Sequence, residues 1–179
     1  MFEFNYHLFP ELAQLGDERE LSGHIDLESI AKGGLLFELP KGIDYDLNLT
    51  NTGSGILLSG IVKTTAVGAC ARCLDKTEIE LQGDVETYYV TRERDSELCE
   101  DDDEVTLVEA DGLVDLAAPI HAALVECMPF VVLCTPDCPG ICPSCGADLK
   151  SEPCCCSDEP SADHPLAALR ELLIQNDQK

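Results

Sequence analysis

The sequence predicts an α+β protein: an antiparallel β-sheet-rich N-terminal half with a helix, then a C-terminal cysteine-rich module and a short closing helix. Three observations carry this. Apolar residues recur at every second position through much of the first half, the period of a strand with one face buried. After Asp115 the apolar spacing changes to that of a helix. From Cys134 onward the composition shifts to Cys, Pro, Gly, Ser and acid, which divides the chain into a domain over 1–133 and a module over 134–179.

In chain order, Leu21, Ile25 and Leu27 alternate with Ser22, His24 and Asp26, and Ile43, Tyr45, Leu47 and Leu49 alternate with Asp44, Asp46, Asn48 and Thr50. Asn51-Thr52-Gly53-Ser54-Gly55 is rich in turn formers. Ile56 to Ala69 is aliphatic and β-branched, and Ile79, Leu81, Val85 and Tyr89 alternate with Glu78, Glu80, Asp84 and Glu86. These read as two long strands, the second with an acidic face toward water. Cys70-Ala71-Arg72-Cys73-Leu74-Asp75 lies between them, so this CxxC is expected at a hairpin tip.

Thr91 to Glu104 contains Glu100-Asp101-Asp102-Asp103-Glu104 and is expected to form a mobile loop, because it is self-repelling and poor in apolar residues. Val105 and Leu107 suggest one more short strand. Leu116, Ile120, Ala123, Leu124 and Cys127 fall on one helical face. Pro119 predicts that this helix starts late or bends, and Pro129 that it ends there. Asp163-His164-Pro165 reads as a helix start, followed by the stripe Leu166, Leu169, Leu172 and Leu173.

The chain has 179 residues, 35 acidic against 11 basic, for a net charge of −24. Nucleic-acid affinity comes largely from Lys and Arg displacing counterions, so unaided RNA or DNA binding is disfavoured and a basic protein partner is expected. Any RNA contact would be confined to local patches such as Arg72, Lys76, Arg92 and Arg94. An acidic excess also suits a merely well-solvated surface. No apolar run approaches the ~18 residues of a membrane span, and Met1 to His7 lacks the basic start and apolar centre of a secretory signal. A cytoplasmic location with no membrane contact is expected, and with it reduced thiols.

There are 11 cysteines. In a reducing compartment, dense CxxC spacings read as metal ligands rather than disulfides. Cys142-Pro143-Ser144-Cys145-Gly146 fits a zinc knuckle, in which a CxxC turn presents two thiolates on one edge of a tetrahedron with metal–sulfur distances of about 2.3 Å. Eight cysteines fall in such pairs, enough for two Zn(Cys)4 sites. The local assignment puts Cys142 and Cys145 with Cys154 and Cys156, and Cys70 and Cys73 with Cys134 and Cys138, fastening the sheet to the module. Cys70 and Cys73 also admit a redox pair or a hairpin filler, although a redox CxxC usually opens a helix in a βαβ unit. Cys127 reads as a core residue, Cys99 as a loop thiol and Cys155 as a neighbour of ligands.

Enzymatic readings lack an anchor. A catalytic zinc keeps a position open and commonly uses His or carboxylate, whereas this inventory can close each site with sulfur. His7, His24, His121 and His164 have no HExxH-type spacing, and there is no GxxxxGK[ST], GxGxxG or GxSxG segment. No catalytic residue is expected.

Taken together, the Cys70-Ala71-Arg72-Cys73-Leu74 hairpin, Asp115-Leu116, the segment from Cys134 through Cys138-Pro139-Gly140-Ile141-Cys142-Pro143-Ser144-Cys145-Gly146 to Leu149, and the final leucine-rich stretch resemble the YceD family, the large ribosomal RNA subunit accumulation proteins. Cys155 interrupts the usual CxC, Ile141 replaces a common leucine, and Asp163-His164-Pro165-Leu166 lacks the usual arginine. The resemblance implies a non-enzymatic factor needed for accumulation of large-subunit ribosomal RNA, and so a part in ribosome biogenesis. With the charge, it implies action through basic ribosomal proteins or other large-subunit biogenesis factors. The alternative is a thiol- or zinc-based redox sensor.

Overall fold

The computed structural model describes residues 2–90, 105–108 and 112–156. Its elements are β1 (Asn5–His7), β2 (Glu18–Ile25), β3 (Ser29–Lys32), β4 (Leu35–Glu38), β5 (Ile43–Asn51), β6 (Gly55–Ala69), β7 (Lys76–Val90), β8 (Val105–Leu107), β9 (Leu113–Asp115) and a helix, here α1 (Ala117–Cys127). The architecture is strand-rich and largely antiparallel, with one short helix among the described residues.

The spine is the β6–β7 hairpin, two strands of 15 residues paired from Gly55↔Val90 to Ala69↔Lys76. On the other edge of β6, β5 pairs through Ile43↔Thr64 and β2 lies beyond it, while nearer the tip β4 takes over at Glu38↔Val67 with β3 beyond. The sheet therefore forks along β6.

The alternation read on β7 sorts its two faces. Leu81, Val85 and Tyr89 are buried, whereas Glu78, Glu80, Asp84 and Glu86 are exposed. The helix α1 packs over the apolar face, burying Ile120, Ala123 and Leu124. Gly83 makes this approach feasible, because a Cβ there would stand 2.6 Å from the Ala123 carbonyl oxygen. Leu8 and Leu12 fill the core from the N-terminal segment, where β1 pairs β9, and the buried Tyr89 hydroxyl donates to the Asp115 carbonyl at 2.9 Å.

Several details differ from expectation. Pro119 does not delay α1, which begins at Ala117 and runs unbroken to Cys127. Proline falls in its first turn, where the N–H has no intrahelical acceptor in any residue. The helix stops at Cys127, and Met128 is extended (φ −68°, ψ 133°), as the residue before Pro129 must be. The β3–β4 hairpin and β1 lack strict alternation and were not legible as strands. The signal for the hairpin was the dipeptide Gly33-Gly34, both at positive φ (58° and 84°), which is what a tight two-residue turn requires. The strand at Val105–Leu107 joins β7 in parallel, through Tyr88↔Val105. The acidic run from Thr91 to Glu104 and the closing helix from Asp163 lie outside the described residues. Among those described, no helix is long and apolar enough to cross a membrane.

Candidate metal centres

The loop from β6 to β7 and the segment Cys142 to Ala147 adopt the same hydrogen-bonded form. The Cys70 N–H donates to the Asp75 carbonyl (2.9 Å) and the Leu74 N–H to the Cys70 carbonyl (2.9 Å). In the same way, the Cys142 N–H donates to Ala147 and the Gly146 N–H to Cys142, both at 2.8 Å. In each knuckle the residue after the second cysteine has positive φ: 64° at Leu74 and 74° at Gly146. Glycine adopts that conformation freely; leucine does not.

Beyond α1 the chain returns to the hairpin tip. The Ala71 N–H donates to the Val132 carbonyl (2.8 Å), the Arg72 Nη1 to the Cys138 carbonyl (2.8 Å) and the Ile141 N–H to the Arg72 carbonyl (3.1 Å). This stitching places Cys134 and Cys138 against the first knuckle. The sulfurs of Cys70, Cys73, Cys134 and Cys138 lie within 4.8 Å of one another, with Cys70–Cys138 at 3.9 Å and Cys73–Cys134 at 3.7 Å. Those of Cys142, Cys145, Cys154 and Cys156 form a second set within 4.8 Å, with Cys142–Cys154 at 3.3 Å.

Four thiolates about 2.3 Å from a tetrahedral ion stand about 3.8 Å apart, whereas a disulfide needs about 2.05 Å. The sulfurs are thus spaced for an ion, and every described cysteine is a free thiol. Each set could hold one metal ion with sulfur alone. The two sets differ in burial. Cys70, Cys73 and Cys138 are at most 8% exposed, while Cys145 and Cys156 are exposed at the surface.

The surroundings prepare the thiols unequally. Backbone N–H groups of Cys73, Arg72 and Cys134 hold the Cys70 thiol down at about 6, and those of Cys145 and Ser144 do the same for Cys142, also about 6. Each centre therefore offers a ready thiolate near neutral pH. Burial pushes Cys138 up to about 12, and hydrogen bonding with Cys145 and Cys154 pushes Cys156 up to about 12.

Two residues at the first centre carried no signal in the sequence. The Lys150 Nζ reaches from the second module to the Asp75 Oδ2 at 2.8 Å. Hydrogen bonding to Asp75, then to the Cys134 and Cys73 sulfurs, holds this ammonium well above the usual lysine range. A contact between residues 75 positions apart leaves no local pattern to read.

Of the cations named as possible RNA contacts, the two among the described residues are otherwise engaged. Arg72 is bonded to Cys138, and Lys76 pairs with Glu38 at 3.0 Å; Arg92 and Arg94 lie outside the described residues. Cys127 is half-buried on α1, its Sγ donating to the Leu124 carbonyl at 3.2 Å, and burial pushes its thiol up. Cys155 is exposed beside the second set, and Cys99 is outside the described residues. His7 is exposed, His24 is bonded to Asp44 (2.7 Å), and His121 is half-buried on α1.

Among curated proteins, the chain is 36% identical over 133 residues to proteins of Mycobacterium tuberculosis and Mycobacterium bovis, both described as uncharacterized, covering 73% of this chain and 64% of theirs. A Mycobacterium leprae protein, likewise described as uncharacterized, is 30% identical over 128 residues, covering 70% of this chain and 58% of its own. The chain thus spans less than two thirds of the length of these relatives. No solved structure is significantly similar. The model of one family matches residues 58–173, which include both knuckles and all eight clustered cysteines. The chain belongs to that family, YceD, the large ribosomal RNA subunit accumulation proteins.

Proposed function

We propose that this protein is a non-enzymatic, zinc-binding factor in ribosome biogenesis that supports accumulation of large-subunit ribosomal RNA, acting in the cytoplasm through basic protein partners. The observation that carries it is the pair of all-sulfur sets within the family-matched region. Soft thiolates in tetrahedral spacing select zinc, and four of them leave no position for water or substrate, so the metal supplies shape rather than chemistry. In this role Cys70, Cys73, Cys134 and Cys138 fasten the hairpin tip to the chain beyond α1, and Cys142, Cys145, Cys154 and Cys156 order a loop-rich module.

The choice of partner is supported by the sheet face not covered by α1. Strand register puts Glu20, Asn48, Ser59 and Glu86 in one row and Ser22, Asp46, Ile61 and Asp84 in the next. Such a face attracts basic proteins and repels phosphate. Ribosomal proteins or other large-subunit biogenesis factors fit this requirement, with ribosomal RNA reached indirectly.

Affinity capture from native lysate with metal retained tests the reading. Recovery of large-subunit ribosomal proteins or precursor particles is expected, together with two zinc ions per chain. Tight binding to naked ribosomal RNA at physiological salt would contradict the partner assignment. A stoichiometry of one, with Cys70 and Cys73 freely alkylated in the native protein, would contradict the ligand assignment. The exposure of Cys145, Cys155 and Cys156 favours one second reading, a redox sensor. Rapid oxidation with reversible zinc ejection would select it over a structural role.

A further inference from the structure

The two sulfur sets are not independent modules. Residues 140–149 form a small turn-back structure in which Ile141 bridges Asp148, the Leu149 N–H donates to the Gly140 carbonyl (3.0 Å) and the Cys142–Gly146 knuckle caps the tip. The chain then turns at Asp148, whose Oδ1 accepts the Lys150 N–H (3.0 Å) and whose Oδ2 accepts the Ser151 hydroxyl (2.8 Å). Lys150 leaves this turn between the two halves of the second ligand set, Cys142 and Cys145 before it and Cys154 and Cys156 after it. Its ammonium lands on the first knuckle, 2.8 Å from the Oδ2 of Asp75, the residue whose carbonyl closes the turn onto Cys70.

We infer that Lys150 is a positioning residue through which metal occupancy of the second centre strengthens metal binding at the first. This rests on the zinc reading above. Four thiolates around a divalent ion leave two excess negative charges in a chain already at −24. An ammonium held on Asp75 beside that set offsets part of that charge and so favours the metal-loaded centre. The ammonium is held in place only while residues 148–151 are ordered, and that turn is ordered when Cys142, Cys145, Cys154 and Cys156 close around an ion. Filling the second centre thus brings a cation beside the first, and by linkage filling the first favours the second.

The experiment is a mutant cycle on the full chain, read by competition with a chromophoric chelator for zinc and by the sulfur-to-cobalt charge-transfer bands of the Co(II) form. Groups in the outer shell of a metal site typically contribute ~10–100-fold in affinity. K150M should weaken the first centre by that order, shift its Co(II) bands and leave two metals bound at saturation. K150R should recover most of the affinity, because a guanidinium can pair with the same Asp75 carboxylate. Removing the second centre with C145S/C156S should weaken the first centre comparably, and adding K150M to that background should have little further effect. First-centre affinity and bands unchanged in K150M would overturn the inference, as would a C145S/C156S effect of equal size with and without Lys150. In either case a wild-type stoichiometry of two leaves the zinc reading standing, whereas wild-type protein binding no metal removes both.

Discussion

Gly146→Ala isolates the backbone requirement of the second knuckle. Gly146 has φ 74° and its N–H closes the turn onto Cys142 at 2.8 Å. No atom lies within 4 Å of where a Cβ would sit, so the substitution adds conformational strain without a clash. An L-residue in the left-handed region costs ~1–2 kcal/mol, and the reduced freedom of alanine in the unfolded chain returns ~0.4–1 kcal/mol. The net is about 1 kcal/mol against the closed knuckle, or ~5-fold in metal affinity. Because the knuckle closes around the ion, the loss should appear chiefly at the second centre in a chelator competition, the first weakening only as far as the Lys150 linkage carries it. Asparagine tolerates this conformation better than alanine, so G146N should lose less than G146A. Unchanged affinity in G146A, or a larger loss in G146N, would refute the reasoning. Leu74 occupies the matching position of the first knuckle at φ 64°. Leu74→Gly relieves the same strain but adds chain freedom and gives up partial side-chain burial, so its effect should cancel to within about 1 kcal/mol.

Three further outcomes follow from the geometry. A strong chelator should strip the metals in two phases, the fast one from the exposed second centre, and C145S/C156S should abolish that phase and leave a single phase from the first centre; loss from the first centre first in the unaltered protein would contradict the burial argument. Gly83→Ala should destabilise the metal-loaded protein by ~1–3 kcal/mol in urea with little change in m, because its Cβ would meet α1 backbone 2.6 Å away, and adding Ala123→Gly should not rescue it. His24 is hydrogen-bonded to Asp44 at 2.7 Å, which raises its pKa. Its NMR titration midpoint should therefore exceed ~6.5 and fall in Asp44→Asn. With the folded pKa raised, the stabilisation is complete below the unfolded pKa and is lost as pH rises through the folded one; a midpoint unchanged by Asp44→Asn would contradict the contact.

The central strands and the helix were legible because burying one face imposes a period on neighbouring residues, as Leu81, Val85 and Tyr89 against Glu80, Asp84 and Glu86 illustrate. The second knuckle was legible for a related reason: CxxC followed by glycine marks a local hydrogen-bonded turn, whereas Cys70 and Cys73 read only as a hairpin tip and Leu74 gave no sign of its positive φ. Pro119 misled because its meaning depends on whether it falls in the first turn of a helix or a later one, and sequence places boundaries only loosely. Chain-distant placement belongs to the tertiary structure. Which sulfurs stand near Cys70 and Cys73 depends on α1 docking over Gly83 and sending Val132 back to Ala71. The fork in the sheet depends on β6 being long enough to take β5 and β4 in succession. The reach of Lys150 to Asp75 depends on both. Periodicity and turn chemistry are written in adjacent residues, whereas a contact spanning dozens of positions exists only once the core between them has packed.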